Sequence, residues 1–239
     1  MMSRWANKTA IVIGAGSDLG QAITFALLKN GIHVYYAIVS KEEQEKIKAE
    51  YEKMDKKDTL TGKLLEPKHD DLNIKDIEEI FEMDVNILIN NIDADVDFHF
   101  SIHLKFMNEV INSMRRRQVE GHIFNINSIH GHFLPTLPNS YLNERDVFLF
   151  NEWVVSKHTS VTLTHMIRRQ VVDVKPPIRV TSISPSCLKM NITDITLNES
   201  NNELSLMPED VADAIIYALR LKPTVQITEL IIQSAGMHP

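Results

Sequence analysis

The sequence predicts a doubly wound α/β fold, with one sheet of about seven mostly parallel strands and helices on both faces. Three observations lead to this prediction. Apolar runs of strand length alternate with longer segments of helical period, which is the order that βαβ units produce. The runs Ile87–Ile89 and Ile123–Ile126 are nearly continuous in apolar character, as expected for strands covered on both faces. A glycine-rich turn, Gly14–Gly20, joins the first predicted strand to the first helix.

The elements follow one another in regular order along the chain. The predicted strands are 9–13, 32–38, 63–66, 85–89, 121–127, 178–183 and 226–232. The predicted helices are 18–30, 41–56, 74–82, 100–117, 153–173 and 208–221. Two long segments, 130–151 and 184–207, are predicted to be irregular loops at the sheet edge where open parallel sheets bind their ligands.

Several helices carry their own end signals. Gly31 follows the first helix as a typical C′ residue. Ser40 and Glu43 have the spacing of a capping box at the start of the second helix. Pro208 opens the last helix, where its missing N–H costs nothing.

Composition limits the class of protein. Hydrophobic residues make up 44% and charged residues 24% of the 239 residues, which excludes collagen, low-complexity disorder and coiled coil. We expect one domain over 1–239. The formal charge of -7 disfavours nucleic acid as a partner. The single cysteine, Cys187, excludes an internal disulfide, and the apolar runs are too short to span a membrane. We therefore expect a cytoplasmic protein that binds no membrane.

The glycine-rich turn indicates a nucleotide site. In the segment Gly14-Ala15-Gly16-Ser17-Asp18-Leu19-Gly20, we expect a tight turn at Gly14 and close helix packing at Gly20. Backbone N–H groups at the helix start would face a pyrophosphate. The spacing between the outer glycines is one residue longer than in the ordinary dinucleotide fingerprint. The alternative is a glycine-rich strand-to-helix turn that binds no ligand.

Further blocks occur in a characteristic order and spacing. They are the outer glycines Gly14 and Gly20, the pair Asn90-Asn91, the run Asn125-Ile126-Asn127-Ser128, the pair Ser156-Lys157 and the pair Ser184-Pro185. In this order and spacing they resemble the short-chain dehydrogenase/reductase family. Four longer stretches look like the insect farnesol dehydrogenase-like branch of that family: Arg4–Ala10, Gly121–Ser128, Ile178–Pro185 and Pro208–Ala214. The resemblance covers nearly the whole chain. It implies a seven-stranded doubly wound sheet, a bound NADP(H), and hydride transfer between the nicotinamide and a small alcohol or carbonyl compound.

The resemblance also implies roles for individual residues. Ser128 stands at the position of the catalytic serine, and Lys157 at that of the lysine that binds the nicotinamide ribose. Asn91 belongs to the block beside the cofactor. Asp70 or Asp71, after the third predicted strand, matches an aspartate that contacts the adenine; a solvated carboxylate is the alternative.

The active site departs from the family pattern at its tyrosine. The residue four positions before Lys157 is Trp153, and an indole N–H cannot ionise to carry a proton. Tyr141 has the right chemistry but lies in a predicted loop. A weak alignment puts His99 at a fourth active-site position, and a surface histidine is the preferred interpretation. His130 and His132 follow Ser128 closely, but of these three residues only Tyr141 has the right chemistry.

Cofactor preference is predicted to be NADP over NAD. No acidic residue follows the second strand to hold a ribose 2′-hydroxyl. Ser40, Lys41 and the helix N-terminus can bind a 2′-phosphate, with reduced affinity because the arginines typical of this branch are missing. Asp18 stands where the family has glycine, beside the expected pyrophosphate, or points to solvent from the first helical turn.

Glycine is scarce, with 8 residues where an average near 7% would give roughly 17. Family glycines are missing at Asp18, Asp93 and Ser186, which suggests an eroded nucleotide site.

Two functions therefore remain open: an oxidoreductase with impaired activity, or an inactive pseudoenzyme that binds cofactor or pairs with another chain. Helices near 100–117 and 153–173 would form homo- or hetero-oligomer contacts. A poorly folding product of a decaying gene is a third possibility.

Overall fold

The computed structural model describes residues 2–38, 40–54, 59–64, 67–68, 71–72, 83–91, 98–134, 144–188 and 206–235. The strands are β1 Thr9–Ile13, β2 His33–Ile38, β3 Leu60–Leu64, β4 Pro67–Lys68, β5 Asp71–Leu72, β6 Val85–Asn90, β7 Gly121–Ile126, β8 Ile178–Pro185 and β9 Glu229–Ile232. The α-helices are α1 Asp18–Lys29, α2 Lys41–Glu52, α3 Phe98–Arg117, α4 Glu144–Gln170 and α5 Pro208–Arg220. Short 3-10 turns span Met2–Arg4 and Ile129–Gly131.

Seven strands form one sheet in the order β3-β2-β1-β6-β7-β8-β9. Every neighbouring pair in this sheet is parallel. The strand order reverses direction between β1 and β6, so the carboxyl ends of these two strands flank the crevice where such sheets bind ligands. The predicted doubly wound α/β fold is confirmed. The strands β4 and β5 form a separate antiparallel pair.

Two apolar layers cover the sheet. On one face, α1, α2 and α5 pack on a buried cluster that contains Ile23, Leu27 and Ile215. On the other face, α3 and α4 pack on a cluster that contains Phe106, Val110 and Leu163. The central strands β6 and β7 are buried along their whole length, because helices lie against both of their faces. Within the described part of the chain, no helix combines the length and apolar character that crossing a bilayer requires.

The largest difference from the sequence prediction is at α4. This helix begins at Glu144, nine residues before the predicted start at 153, so the predicted loop over 130–151 was wrong for its last eight residues. Phe148 and Leu149 in this first part of the helix are exposed. An amphipathic pattern arises when one helical face is buried, and these exposed apolar side chains obscured it.

Boundaries also differ by three or more residues at β3, β9 and α2. The strand β3 begins at Leu60 rather than 63, because its polar residues carry no apolar signal. The strand β9 begins at Glu229 rather than 226, since the Gln226 side chain, and not its backbone, bonds to the Val180 backbone. The helix α2 ends at Glu52, with Lys53 as its C-cap. The predicted helix over 74–82 lies outside the described residues.

Candidate active site

The glycine-rich turn has the geometry that its sequence predicts. Gly14 has φ of 70°, a conformation that favours glycine. A β-carbon at Gly14 would lie 1.8 Å from Asn91 O, and one at Gly20 would lie 2.1 Å from Gly14 O. Side chains at these positions would force apart β1, α1 and the end of β6. The two glycines therefore let the start of α1 approach the carboxyl end of the sheet.

Ser17 and Asn91 hold this turn. The Ser17 hydroxyl accepts a hydrogen bond from Gly20 N at 3.0 Å as the N-cap of α1. The Asn91 amide nitrogen donates to Gly14 O and to Ser17 Oγ, both at 3.0 Å. Asn91 thus ties the end of β6 to the turn after β1, on the two sides of the crevice.

The turn also carries a contact that the sequence did not reveal. A β-carbon at Gly16 would lie 2.1 Å from Glu43 Oε2, so the carboxylate of Glu43 covers Gly16. Ser40 is the N-cap of α2, and its hydroxyl accepts from Glu43 N at 3.4 Å. The capping-box spacing placed Glu43 at the helix start, but gave no indication that its side chain reaches the glycine turn.

The other residues predicted to bind the cofactor differ in which of their atoms are exposed to a ligand. Leu19 lies in the first turn of α1, and its side chain is buried in the core. Only its backbone could contact a ligand. Asp18 is partly exposed in the first turn of α1 and lines a groove that also contains Met207. Lys41 is exposed at the first position of α2. Asp71 lies in β5, with its side chain outside the described residues.

Further sequence predictions cannot be placed. Asp70, Asp93 and Tyr141 lie outside the described residues, and so does the side chain of His99.

Ser128 lies directly after β7, at the carboxyl end of the sheet. It is the N-cap of the 3-10 turn Ile129–Gly131, and its hydroxyl oxygen accepts a hydrogen bond from His130 N at 3.2 Å. Because the hydroxyl oxygen is the acceptor in this bond, its own proton remains available to donate elsewhere. Ser128 can thus donate a hydrogen bond to a carbonyl oxygen in the crevice.

A buried polar network fixes the strand end that carries Ser128. Asn125 accepts from Asn90 at 2.9 Å and donates to Thr164 at 2.6 Å. Asn127 donates to Ser182 at 2.7 Å and accepts from Ser160 at 2.6 Å. These bonds join β6, β7, β8 and α4. Buried amides and hydroxyls are costly unless paired, so the network defines how α4 sits against the sheet.

The turn after Ser128 packs directly on α4. A β-carbon at Gly131 would lie 2.7 Å from Lys157 O and 2.6 Å from Val161 Cγ2. Only glycine allows this approach without movement of the helix. The absence of a side chain at Gly131 therefore sets the position of Ser128 relative to Trp153 and Lys157.

Lys157, Trp153 and His130 form a continuous group beside Ser128. Lys157 is buried, with 9% of its surface exposed, and its Nζ lies 5.8 Å from the centroid of the Trp153 ring, within the range of a cation–π contact. The His130 ring lies 5.2 Å from the Trp153 ring, between centroids. Burial, and then the charge of Lys157, lower the pKa of His130 below its ordinary value. The three side chains share one local environment.

Ser184, near the end of β8, contacts a different histidine. His132 Nε2 lies 3.0 Å from Ser184 Oγ and 3.0 Å from Glu229 Oε1. Both contacts use the same ring nitrogen. A Ser-His-acid relay needs one ring nitrogen for each partner, so this group is not arranged for nucleophilic catalysis.

Comparisons with known proteins agree with the fold and identify the family. The family model for short chain dehydrogenase matches residues 8–203. Farnesol dehydrogenase of Aedes aegypti is 32% identical over 98% of this chain and 99% of its own. Serine dehydrogenase from Escherichia coli superposes with a TM-score of 0.71 at 21% identity, over 97% of this chain and 100% of that one. The closed form of serine dehydrogenase complexed with NADP+ gives a TM-score of 0.69 at 20% identity, over 97% and 98%.

The chain belongs to the short-chain dehydrogenase/reductase family of oxidoreductases, whose fold binds a nicotinamide cofactor. Trp153 stands four residues before Lys157 on α4, where the sequence resemblance placed the tyrosine.

Proposed function

We propose that this protein is an NADP-dependent oxidoreductase that interconverts a small alcohol and its carbonyl compound, at a rate reduced by Trp153. The observation that carries the proposal is that the turn capped by Ser128, at the carboxyl edge of the sheet, packs on α4, where a β-carbon at Gly131 would lie 2.7 Å from Lys157 O. The glycine turn lies on the same edge, held by Asn91. This is the edge at which open parallel sheets bind their ligands.

The glycine turn fits a dinucleotide. Gly14 and Gly20 allow the turn, the start of α1 and the end of β6 to approach closely, so the N-terminus of α1 directs its backbone N–H groups toward the crevice. Among the described residues, Glu43 obstructs this position, because its carboxylate covers Gly16 and would repel a pyrophosphate. The side chain is long and flexible, and α2 can keep its Ser40 cap while Glu43 rotates away.

We assign NADP rather than NAD as the preferred cofactor, with weak affinity. Ser40 and the exposed Lys41 stand at the start of α2, where a 2′-phosphate would meet the positive end of the helix dipole. The related serine dehydrogenase has been solved in complex with NADP+. Glu43 accounts for the reduced affinity, because a carboxylate close to a phosphate is unfavourable.

Each residue of the candidate site would have a separate role in the reaction. The bound nicotinamide supplies or accepts a hydride. Lys157 would bind the nicotinamide ribose, and Ser128 would donate a hydrogen bond to the substrate oxygen. Trp153 can donate a hydrogen bond but cannot release and regain a proton. A positioned proton carrier typically contributes about 10²–10⁴-fold to rate, and this is the size of the expected deficit.

The substrate class is a small alcohol or carbonyl of the farnesol kind. The Aedes aegypti relative is named a farnesol dehydrogenase. Exposed apolar side chains at Phe133 and Leu134 follow the Ser128 turn and would offer a terpenoid chain an apolar surface.

The substitution Trp153→Tyr tests the proposal. We expect the variant to bind NADPH as the natural protein does, and to reduce terpenoid aldehydes at least about 10²-fold faster. Cofactor binding is measured by the enhancement of NADPH fluorescence, and turnover by the loss of NADPH absorbance. The matched control is the double variant that carries Trp153→Tyr and Ser128→Ala. Its rate should be well below that of Trp153→Tyr alone. Absence of NADPH binding in both proteins would refute the proposal.

A second candidate is a pseudoenzyme that acts through association with another chain. Val155 and Met166 on α4 are 60% and 56% exposed, and Val155 borders an apolar hollow with Leu134 and Thr159. We propose that α3 and α4 form homo- or hetero-oligomer contacts in either case. Val155→Glu should shift the protein to a smaller species in sedimentation velocity, whereas Thr162→Ser should not. Full association without turnover in Trp153→Tyr would favour the pseudoenzyme.

A further inference from the structure

His130 has no role in the function proposed so far, although it contacts both Ser128 and Trp153. It is the second residue of the turn that Ser128 caps, and its backbone N–H bonds to Ser128 Oγ. Its ring lies against the indole of Trp153. The side chain is therefore fixed between the two positions, 128 and 153, at which the chemistry is expected.

The His130 ring is partly sequestered from water. Its Nδ1 is buried and, among the described residues, has no hydrogen-bond partner. A buried polar atom without a partner costs free energy comparable to a lost hydrogen bond. Native proteins retain few such atoms, and each calls for an explanation. A substrate oxygen that arrives beside Ser128 would give this nitrogen a partner.

We infer that His130 carries the slow proton exchange with the substrate oxygen that remains in this protein, where Trp153 replaces the more effective tyrosine. The inference rests on the proposed oxidoreductase function and adds a catalytic residue to it. Trp153 then acts as the wall against which the imidazole lies, with 5.2 Å between the ring centroids.

The step balances without any further reactant. In carbonyl reduction, a hydride from the reduced nicotinamide forms the new C–H bond, and the carbonyl π electrons move to oxygen. The N–H proton of the His130 imidazolium forms the O–H bond. The products are the alcohol, the oxidised nicotinamide and neutral His130, which regains its proton from water. Alcohol oxidation is the reverse, with neutral His130 as the base.

The surroundings of His130 set the pH range in which each direction is favoured. On α4, Lys157 is the charged group that acts on the ring, and Trp153 is neutral; on its own turn, Ser128 is neutral. Burial and Lys157 lower the pKa of His130, so the imidazolium is populated only at acidic pH. Reduction should accelerate as pH falls below about 6.5, the ordinary value of histidine, and oxidation should accelerate as pH rises.

The first test follows His130 in the protein without cofactor. A protonated imidazole quenches a neighbouring indole, so Trp153 fluorescence should fall with acid and show a midpoint below pH 6.5. His130→Gln should abolish this transition, and Trp153→Phe should remove it as well, because Trp5 is buried elsewhere. A transition that persists in His130→Gln would overturn the inference.

The second test is kinetic. His130→Gln should lower kcat/KM for aldehyde reduction at pH 6 by about 10²-fold and remove its pH dependence, while NADPH affinity stays unchanged. The matched control is His165→Gln, which lies about three turns after Trp153 on α4 and should keep the natural rate. Turnover that survives unchanged in His130→Gln overturns this inference alone. Absence of turnover in the natural protein overturns the proposed function with it.

Discussion

The carboxylate of Glu43 lies over Gly16, where a β-carbon would be 2.1 Å from Glu43 Oε2. The contact joins the N-terminal turn of α2 to the turn that precedes α1. A dinucleotide would pass through this place with its pyrophosphate, because that group binds at the N-terminus of the first helix. Cofactor and Glu43 therefore compete for one location.

Glu43→Gln should tighten NADPH binding. The substitution removes the negative charge and keeps the size of the side chain. Removal of one phosphate–carboxylate repulsion of about 1 kcal/mol in a solvated crevice gives a fall in Kd of roughly 5-fold. Fluorescence titration with NADPH measures the change. Glu45→Gln, two residues on and exposed, controls for the change in overall charge and should leave Kd unaltered. A Kd that is equal in Glu43→Gln and the natural protein would show that Glu43 is no barrier.

Gly131→Ala should destabilise the protein and weaken catalysis together. The added methyl would lie 2.7 Å from Lys157 O, and a helix carbonyl moves only with its helix. We expect a loss of about 1–3 kcal/mol in the free energy of unfolding, measured by urea denaturation. The pair Gly131→Ala with Val161→Ala relieves only the contact with Val161 and should recover only part of that loss. Full recovery would mean that the Lys157 backbone does not limit the approach.

His122 should make the fold sensitive to acid. Burial, followed by the charges of Arg179 and Arg4, holds the pKa of His122 well below its ordinary value. Between that lowered pKa and about 6.5, the unfolded chain binds the proton more readily than the folded one. Stability contributed by neutral His122 is thus complete above pH 6.5 and is lost as pH falls toward the folded-state pKa.

The slope from this one group can reach about 1.4 kcal/mol per pH unit. His122→Gln preserves a side chain that can bond to Thr181, as His122 does at 2.8 Å. Thermal unfolding between pH 5 and 7 should show a weaker pH dependence in this variant. The half-exposed His165 provides the control, through His165→Gln. An unchanged slope in His122→Gln would assign the acid sensitivity to other groups.

The parts of the fold that the sequence predicted well are those set by local rules. The turn at Gly14 and the helix start at Asp18 were predictable, because a strand, spaced glycines and a capping serine act within a few residues of one another. The buried strands β6 and β7 were predictable from their continuous apolar character. The start of α4 was not, since the helix carries exposed Phe148 and Leu149 where a surface helix normally has polar residues.

The residues of the candidate site also differ in how well the sequence predicts them. Ser128, Lys157 and Trp153 could be placed by resemblance because they lie in blocks of fixed spacing. From the sequence, Glu43 was predicted only as a helix-capping residue, and His130 was ranked below Tyr141. Each acts through a neighbour that is distant along the chain, Gly16 for Glu43 and Trp153 for His130. A histidine two residues after a serine becomes informative only when its ring is seen against Trp153.

The amide and hydroxyl network through Asn125 and Asn127 has a consequence for protein engineering. Its bonds to Thr164 and Ser160 hold α4 in register with the sheet, and none of them involves residue 153. An exchange of the side chain at 153 should therefore leave Ser128 and the backbone of α4 where they are. The chain is a scaffold into which a more effective proton donor than His130 can be installed by one mutation, with the surrounding backbone geometry already built.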